Sequence, residues 1–139
     1  MPEIAHTAQD MISNMTPVLQ PGDFVYISTL DQTLAAELTY DAVSTFREEE
    51  GLSMLVPLQS AQSAGLAVDM PMRCITLNVY SSLEGVGLTA AVAAALGAHN
   101  IPCNMVAACH HDHVFVPSDK SDQALAVLTA LQENAVATG

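Results

Sequence analysis

The chain has 139 residues, 50% of them hydrophobic, and a formal net charge of −12 in which only Arg47, Arg73 and Lys120 are fixed cations. That length and apolar content can bury a real core, as one domain or as two small lobes, which argues against disorder. So few cations leave no basic stripe to neutralise a phosphate backbone, so nucleic acid is excluded as a partner.

Taken in chain order, residues 4–15 read as a short amphipathic helix. The stretch from Pro17 to Gly22 then breaks the chain ahead of a strand over residues 24–30. Residues 31–41 are ambiguous between a loop and one helical turn. Residues 42–48 and 52–56 read as a hairpin around Glu49-Glu50-Gly51, and residues 58–64 as a short helix stopped by Gly65. Asp69-Met70-Pro71 marks a boundary, giving lobes at residues 1–68 and 69–139.

The second half has clearer signals. A strand over residues 73–80 alternates Ile75, Leu77 and Val79 on one face with Cys74, Thr76, Asn78 and Tyr80 on the other. An alanine-rich helix follows at 88–98, then strands at 101–109 and 113–116. A last helix over residues 121–134 places Ala124, Leu128 and Leu131 at helical spacing, with Ser118 or Asp119 as its cap. The order β-α-β-β-α is one strand short of the ferredoxin-like β-α-β-β-α-β unit, so the final strand is either absent or supplied by the other lobe. The two halves share this plan without a residue-level repeat. The fold class is therefore α+β: ferredoxin-like lobes with antiparallel sheets and helices on one face.

No apolar run reaches the roughly 18 residues needed to span a bilayer, and no export signal opens the chain. The expectation is a cytoplasmic protein without a membrane partner. Cys74, Cys103 and Cys109 are odd in number and lie in apolar runs where a thiol serves as a small hydrophobe, so disulfides are not expected.

Three stretches carry a family resemblance: Arg47-Glu-Glu-Glu-Gly-Leu52, Ile75-Thr-Leu-Asn-Val-Tyr-Ser-Ser-Leu-Glu-Gly-Val-Gly-Leu-Thr-Ala90 and His111-Asp-His-Val-Phe-Val-Pro117. Over residues 16–131 they resemble, in order and spacing, a bacterial family of small ACT-domain proteins with two ACT-like lobes. The resemblance implies a ferredoxin-like fold. It also implies a sensing module that binds a small amino acid or related metabolite at a lobe or dimer interface and engages an unidentified protein partner; independently of the resemblance, the exposed sheet edges and the face carrying Thr76, Asn78 and Tyr80 lead to the expectation of lobe pairing and a homodimer.

The corner between strand 73–80 and helix 88–98 is the candidate ligand site. Hydroxyls of Ser81, Ser82 and Thr89, with backbone amides near Val86, Gly87 and Leu88, suit an α-carboxylate, and Glu84 suits an ammonium group. In the ACT family the corresponding loop and first helical turn meet the ligand, which adds Leu83. Read blandly, the serines cap a turn and Gly85 and Gly87 solve backbone geometry. Asn104, polar in an otherwise apolar strand, and His113 are candidate contacts from a second side.

Other chemistries find less support. Gly85, Gly87 and Ala90 satisfy a dinucleotide-type glycine pattern, but four residues separate Tyr80 from the first glycine and the next strand enters a hairpin, so that fold is rejected and no cofactor is expected. His111 and His113 share a strand face and could chelate a metal with Asp112 or Cys109, although no further ligand motif accompanies them. Glu48, Glu49 and Glu50 cannot converge on one cation from consecutive strand positions, and Arg47 beside them either pairs with a carboxylate or points at a ligand. No nucleophile elbow or triad pattern is present, so the chain is not expected to be an enzyme. The alternatives to sensing are an interaction module without a ligand and a metal-binding protein built on His111 and His113.

Overall fold

The computed structural model describes residues 8–79 and 87–138. Its elements, in order, are α1 (Ala8–Asn14), β1 (Pro17–Leu19), β2 (Phe24–Thr29), α2 (Gln32–Thr39), β3 (Ser44–Glu48), β4 (Gly51–Pro57), α3 (Leu58–Ser63), β5 (Met72–Leu77), α4 (Leu88–Ala98), β6 (Asn104–Ala107), β7 (Asp112–Pro117) and α5 (Ser121–Thr138). The ambiguous stretch after the first strand is helix α2, the strand expected over 101–109 is shorter, and the last helix runs on to Thr138.

The chain forms two compact units that do not follow chain order. One comprises Met1–Gln20 with Arg73–Gly139, the other Pro21–Met72. The boundary read from sequence, at 68/69, leaves the first twenty residues with the first lobe, whereas helix α1 and strand β1 are built into the unit formed by the second half. The reason lies in long-range bonding. Gln9 Nε2 donates to Ala135 O (2.6 Å) and Gln132 Nε2 to Ser13 O (2.8 Å), tying α1 to α5.

Within that larger unit the strands run β1-β5-β7-β6. The segment read as a chain break contains β1, which pairs antiparallel with β5 through Pro17–Leu77, Val18–Thr76 and Leu19–Ile75. Asn78 N–H donates to Thr16 O (3.1 Å) and Gln20 N–H to Cys74 O (2.8 Å), extending the ladder at both ends. This is the strand missing from the β-α-β-β-α plan, taken from the start of the chain. Pro17 is tolerated at the first position of this outermost strand.

Ile75, Leu77, Val79, Val114 and Val116 point from the sheet into a core closed by Met11 and Met15, by Leu88, Val92 and Leu96 of α4, and by Ala124 and Leu128 of α5. The three α4 residues are spaced i, i+4, i+8, one helical stripe. Helix α4 ends in a Schellman arrangement. Asn100 takes a left-handed φ of 58°, its N–H bonds to Gly97 O (3.0 Å), and Ile101 N–H bonds to Leu96 O (3.0 Å) while both apolar side chains join the core.

The smaller unit is a β3-β4-β2 sheet whose helix side buries Val25, Met54 and Val56 against Leu38 and Ala61, with Met72 pairing to Phe24. The hairpin expected around Glu49-Glu50-Gly51 joins β3 to β4 in register from Ser44–Leu55 to Glu48–Gly51.

Candidate functional site

Each unit contains one corner where its first helix-flanked strand gives way to a helix. The second corner, that of the predicted site, leads from β5 into α4. Ser81, Ser82, Leu83, Glu84 and Val86 lie outside the described residues, so its described part is Gly87, Leu88 and Thr89. Gly87 stands at the helix N-cap with a φ of 107° and supplies no side-chain cap, while its carbonyl accepts from Ala91 N–H (2.9 Å). A methyl group on it would meet Ala8 Cβ of helix α1 at 2.5 Å, so both backbone conformation and space require glycine. Leu88 is buried in the core, leaving its backbone alone to face a ligand, and Thr89 is exposed.

Asn104 and His113 come together elsewhere on this unit. The register pairs Asn104 with Phe115 and Val106 with His113, so Asn104 and His113 are diagonal neighbours on one sheet face. That face is opposite the one that Val114 and Val116 turn to α4 and the core. The structure thus gathers the two predicted second-side residues but sets their side chains across the sheet from Leu88.

Thr76 and Cys74 share that face with them, both buried. Thr76 Oγ1 accepts from Gln20 Nε2 (3.0 Å) and lies 3.0 Å from His113 Nδ1. The Thr76 hydroxyl is thus shared among three partners, accepting from Gln20 and hydrogen-bonding with His113 and with Cys74 Sγ (3.9 Å), the direction of the His113 bond following its tautomer. Burial, aided by the neighbouring His111, holds the His113 pKa below its ordinary value, with Asp112 acting in the opposite direction. Burial raises the Cys74 thiol, which the Thr76 contact partly offsets. His111 Nδ1 lies 3.3 Å from Val79 O. Among the described residues no group of three or more His, Cys, Asp or Glu side chains is placed to hold a metal ion.

The first corner, from β2 into α2, was not singled out from sequence. Asp31 adopts extended dihedrals at the N-cap, and its Oδ1 accepts from Thr33 N–H (2.9 Å) and Leu34 N–H (3.3 Å). Beside it opens a pocket of about 330 Å³, small but within the range that holds single metabolites. Register builds its floor: Thr29 pairs with Leu52 and Leu52 with Arg47, one row across three strands. Gln32 and Ala35 on the first turns of α2 form a wall, Asp31 adds a carboxylate at the rim, and Glu48 lines its edge. The Glu48 carboxylate accepts a hydrogen bond from Ser53. The pocket therefore gathers the Arg47 side chain and the Asp31 carboxylate, while the Glu48 carboxylate is held by Ser53 on the other face of the sheet. The signal that could have found it was Arg47, set in a chain with few cations, together with an Asp at the end of a strand.

Comparison with known proteins follows the two halves of the chain. Residues 7–73 and residues 69–130 each match an ACT domain family model. A Vibrio cholerae protein of unknown function, described as a possible transport protein, is 37% identical, with a TM-score of 0.77 over 88% of this chain and 93% of its own. An Agrobacterium tumefaciens protein shares 18% identity and a TM-score of 0.68 over 85% of this chain and 89% of its own. The regulatory subunit of aspartate kinase from Thermus flavus shares the fold at 10% identity and a TM-score of 0.51, over 84% of this chain and 97% of its own. Curated proteins give no match.

Proposed function

The chain belongs to the family of small proteins with two tandem ACT domains, and on that premise we propose that it is a regulatory module that binds a small amino acid or a related metabolite. The fold it shares with a regulatory subunit of aspartate kinase supports the regulatory half of the reading. The observation that carries the ligand half is the first-corner pocket. Arg47 there offers a fork for an α-carboxylate, and the second carboxylate oxygen of Asp31 offers an acceptor for an ammonium group.

The second corner is the companion seat, with Ser81, Ser82, Leu83, Glu84, Val86, Gly87, Leu88 and Thr89 around the ligand, while Asn104 and His113, turned to the other face of the sheet, would serve a ligand only there. Binding at either corner would bias how the protein engages its partner by differential affinity for two arrangements. The setting proposed is the cytoplasm. Among the described residues no helix is long and apolar enough to cross a membrane.

The test is thermal denaturation of the full chain against a panel of amino acids at millimolar concentration. A ligand at about a hundred times its Kd stabilises by about 2.7 kcal/mol. Stabilisation is expected for at least one amino acid, weakened by Arg47→Ala if it sits at the first corner and by Glu84→Gln if it sits at the second. No response from any member of the panel would overturn the reading.

A further inference from the structure

The first-corner pocket sorts amino acids by charge before it sorts them by size. Arg47 is the one fixed cation in the sequence from Pro21 to Met72; Arg73 and Lys120 belong to the larger unit. One guanidinium neutralises one carboxylate. Helix α2 offers no open cluster of amides for a second, because Asp31 Oδ1 takes the N–H groups of Thr33 (2.9 Å) and Leu34 (3.3 Å), and Asp31 O that of Ala35 (2.9 Å). Thr29 Oγ1 accepts from Asp31 N–H (3.0 Å) and keeps its proton for one neutral hydrogen bond to a ligand oxygen. An acidic side chain therefore meets no second cation here, only the Asp31 carboxylate. A basic one finds no second acid, since Ser53 holds the Glu48 carboxylate across the sheet.

Three of the remaining lining residues are apolar. Leu52 lies at the floor between Thr29 and Arg47, Ala35 stands on α2, and Leu30 follows the end of β2. Leu52 and Ala35 pack onto the core of the smaller unit, which fixes them in place. Leu30 differs: it is 78% exposed, and its isobutyl group stands in water at the edge of the pocket. Such a side chain gains from any apolar group that displaces the water over it. We propose that the ligand is an α-amino acid with an uncharged aliphatic side chain, seated on Leu52 and Ala35, and that Leu30 determines this specificity by covering it from the open side. The proposal rests on the first-corner seat for an amino acid, with Arg47 on its carboxylate and Asp31 on its ammonium group. A volume of about 330 Å³, near the floor of the range for ligand sites, suits a side chain of that size better than a large aromatic one.

Titration calorimetry of the full chain with glycine, L-valine, L-leucine, L-glutamate and L-lysine tests this. Valine or leucine is expected to bind about tenfold or more tighter than glycine, which carries the same charged ends and no side chain. Glutamate and lysine are expected to bind no tighter than glycine. Leu30→Ser, at an exposed position outside any helix or strand, is expected to erase most of the aliphatic advantage, read as the ratio of the two affinities. Arg47→Ala is expected to weaken valine and leucine alike. Tightest binding of glutamate or lysine, an aliphatic advantage indifferent to Leu30→Ser, or aliphatic binding indifferent to Arg47→Ala and so seated elsewhere would overturn the proposal and leave the amino-acid reading standing. Binding by none of the five overturns the proposal, and silence across the whole panel of the thermal test overturns the reading beneath it.

Discussion

The two strand-to-helix corners solve one topological problem in opposite ways. At the first, a side chain closes the helix: Asp31 occupies the amides of Thr33 and Leu34, and the space beside it stays open as a pocket. At the second, no side chain of the N-cap residue does so; Gly87 turns the backbone through a left-handed conformation and α1 packs against it. A helix N-terminus thus accommodates an internal carboxylate in one lobe and a tight backbone turn in the other. Similar topology does not imply equivalent sites, and a ligand's carboxylate would have to look to Arg47 at the first corner and to the helix amides at the second.

Each corner also rests on a glycine, which gives the sharpest way to break the comparison. A methyl group on Gly51 (φ 145°) would sit 2.8 Å from Thr29 O inside the sheet, a backbone atom that cannot step aside, whereas one on Gly87 would sit 2.5 Å from Ala8 Cβ and 3.5 Å from Ala8 Cα, a clash relieved by a shift of the first residue of α1. Conformational strain alone costs about 1–3 kcal/mol at such positions. Gly51→Ala is therefore expected to lower stability most, and Gly87→Ala somewhat less, as read from urea denaturation midpoints. The reverse order would mean that the contact with α1 is the stiffer of the two.

A smaller effect is expected at the capping residue. Asp31→Ala removes the two bonds to Thr33 and Leu34 and should cost about 1 kcal/mol in the same measurement. Loss of only a few tenths would show that α2 is held by Leu38 and the core, making its cap dispensable. No comparable loss is expected from replacing Thr89, which is exposed at the other helix.

The smallest expected effect concerns acid. His113 has a folded pKa below its ordinary value of 6.5, so the unfolded chain takes up a proton more readily than the folded one. Its contribution is fully present above pH 6.5 and is lost as pH falls from there through the depressed folded pKa. His113→Asn keeps an amide able to hydrogen-bond the Thr76 hydroxyl and should flatten this part of the stability-versus-pH curve. An unchanged acid slope would place the titrating group elsewhere.

The amino-acid sequence alone determined the local elements and the fold class. Alternation in 73–80, the apolar stripe of 88–98 and the hairpin around Glu49-Glu50-Gly51 each state their conformation within a window of a few residues, and the three motifs carried the ACT family. It also placed Asn104 and His113 under suspicion. What it could not state was pairing at a distance. Nothing local marks residues 17–19 as a strand, because their partner, Leu77 through Ile75, lies almost sixty positions on, and only the ladder between them defines it. The first-corner pocket is likewise a product of register, since Thr29, Leu52 and Arg47 become neighbours only when three strands align. Periodicity encodes which face of an element is apolar; which other element that face meets is decided by the closing of the chain upon itself.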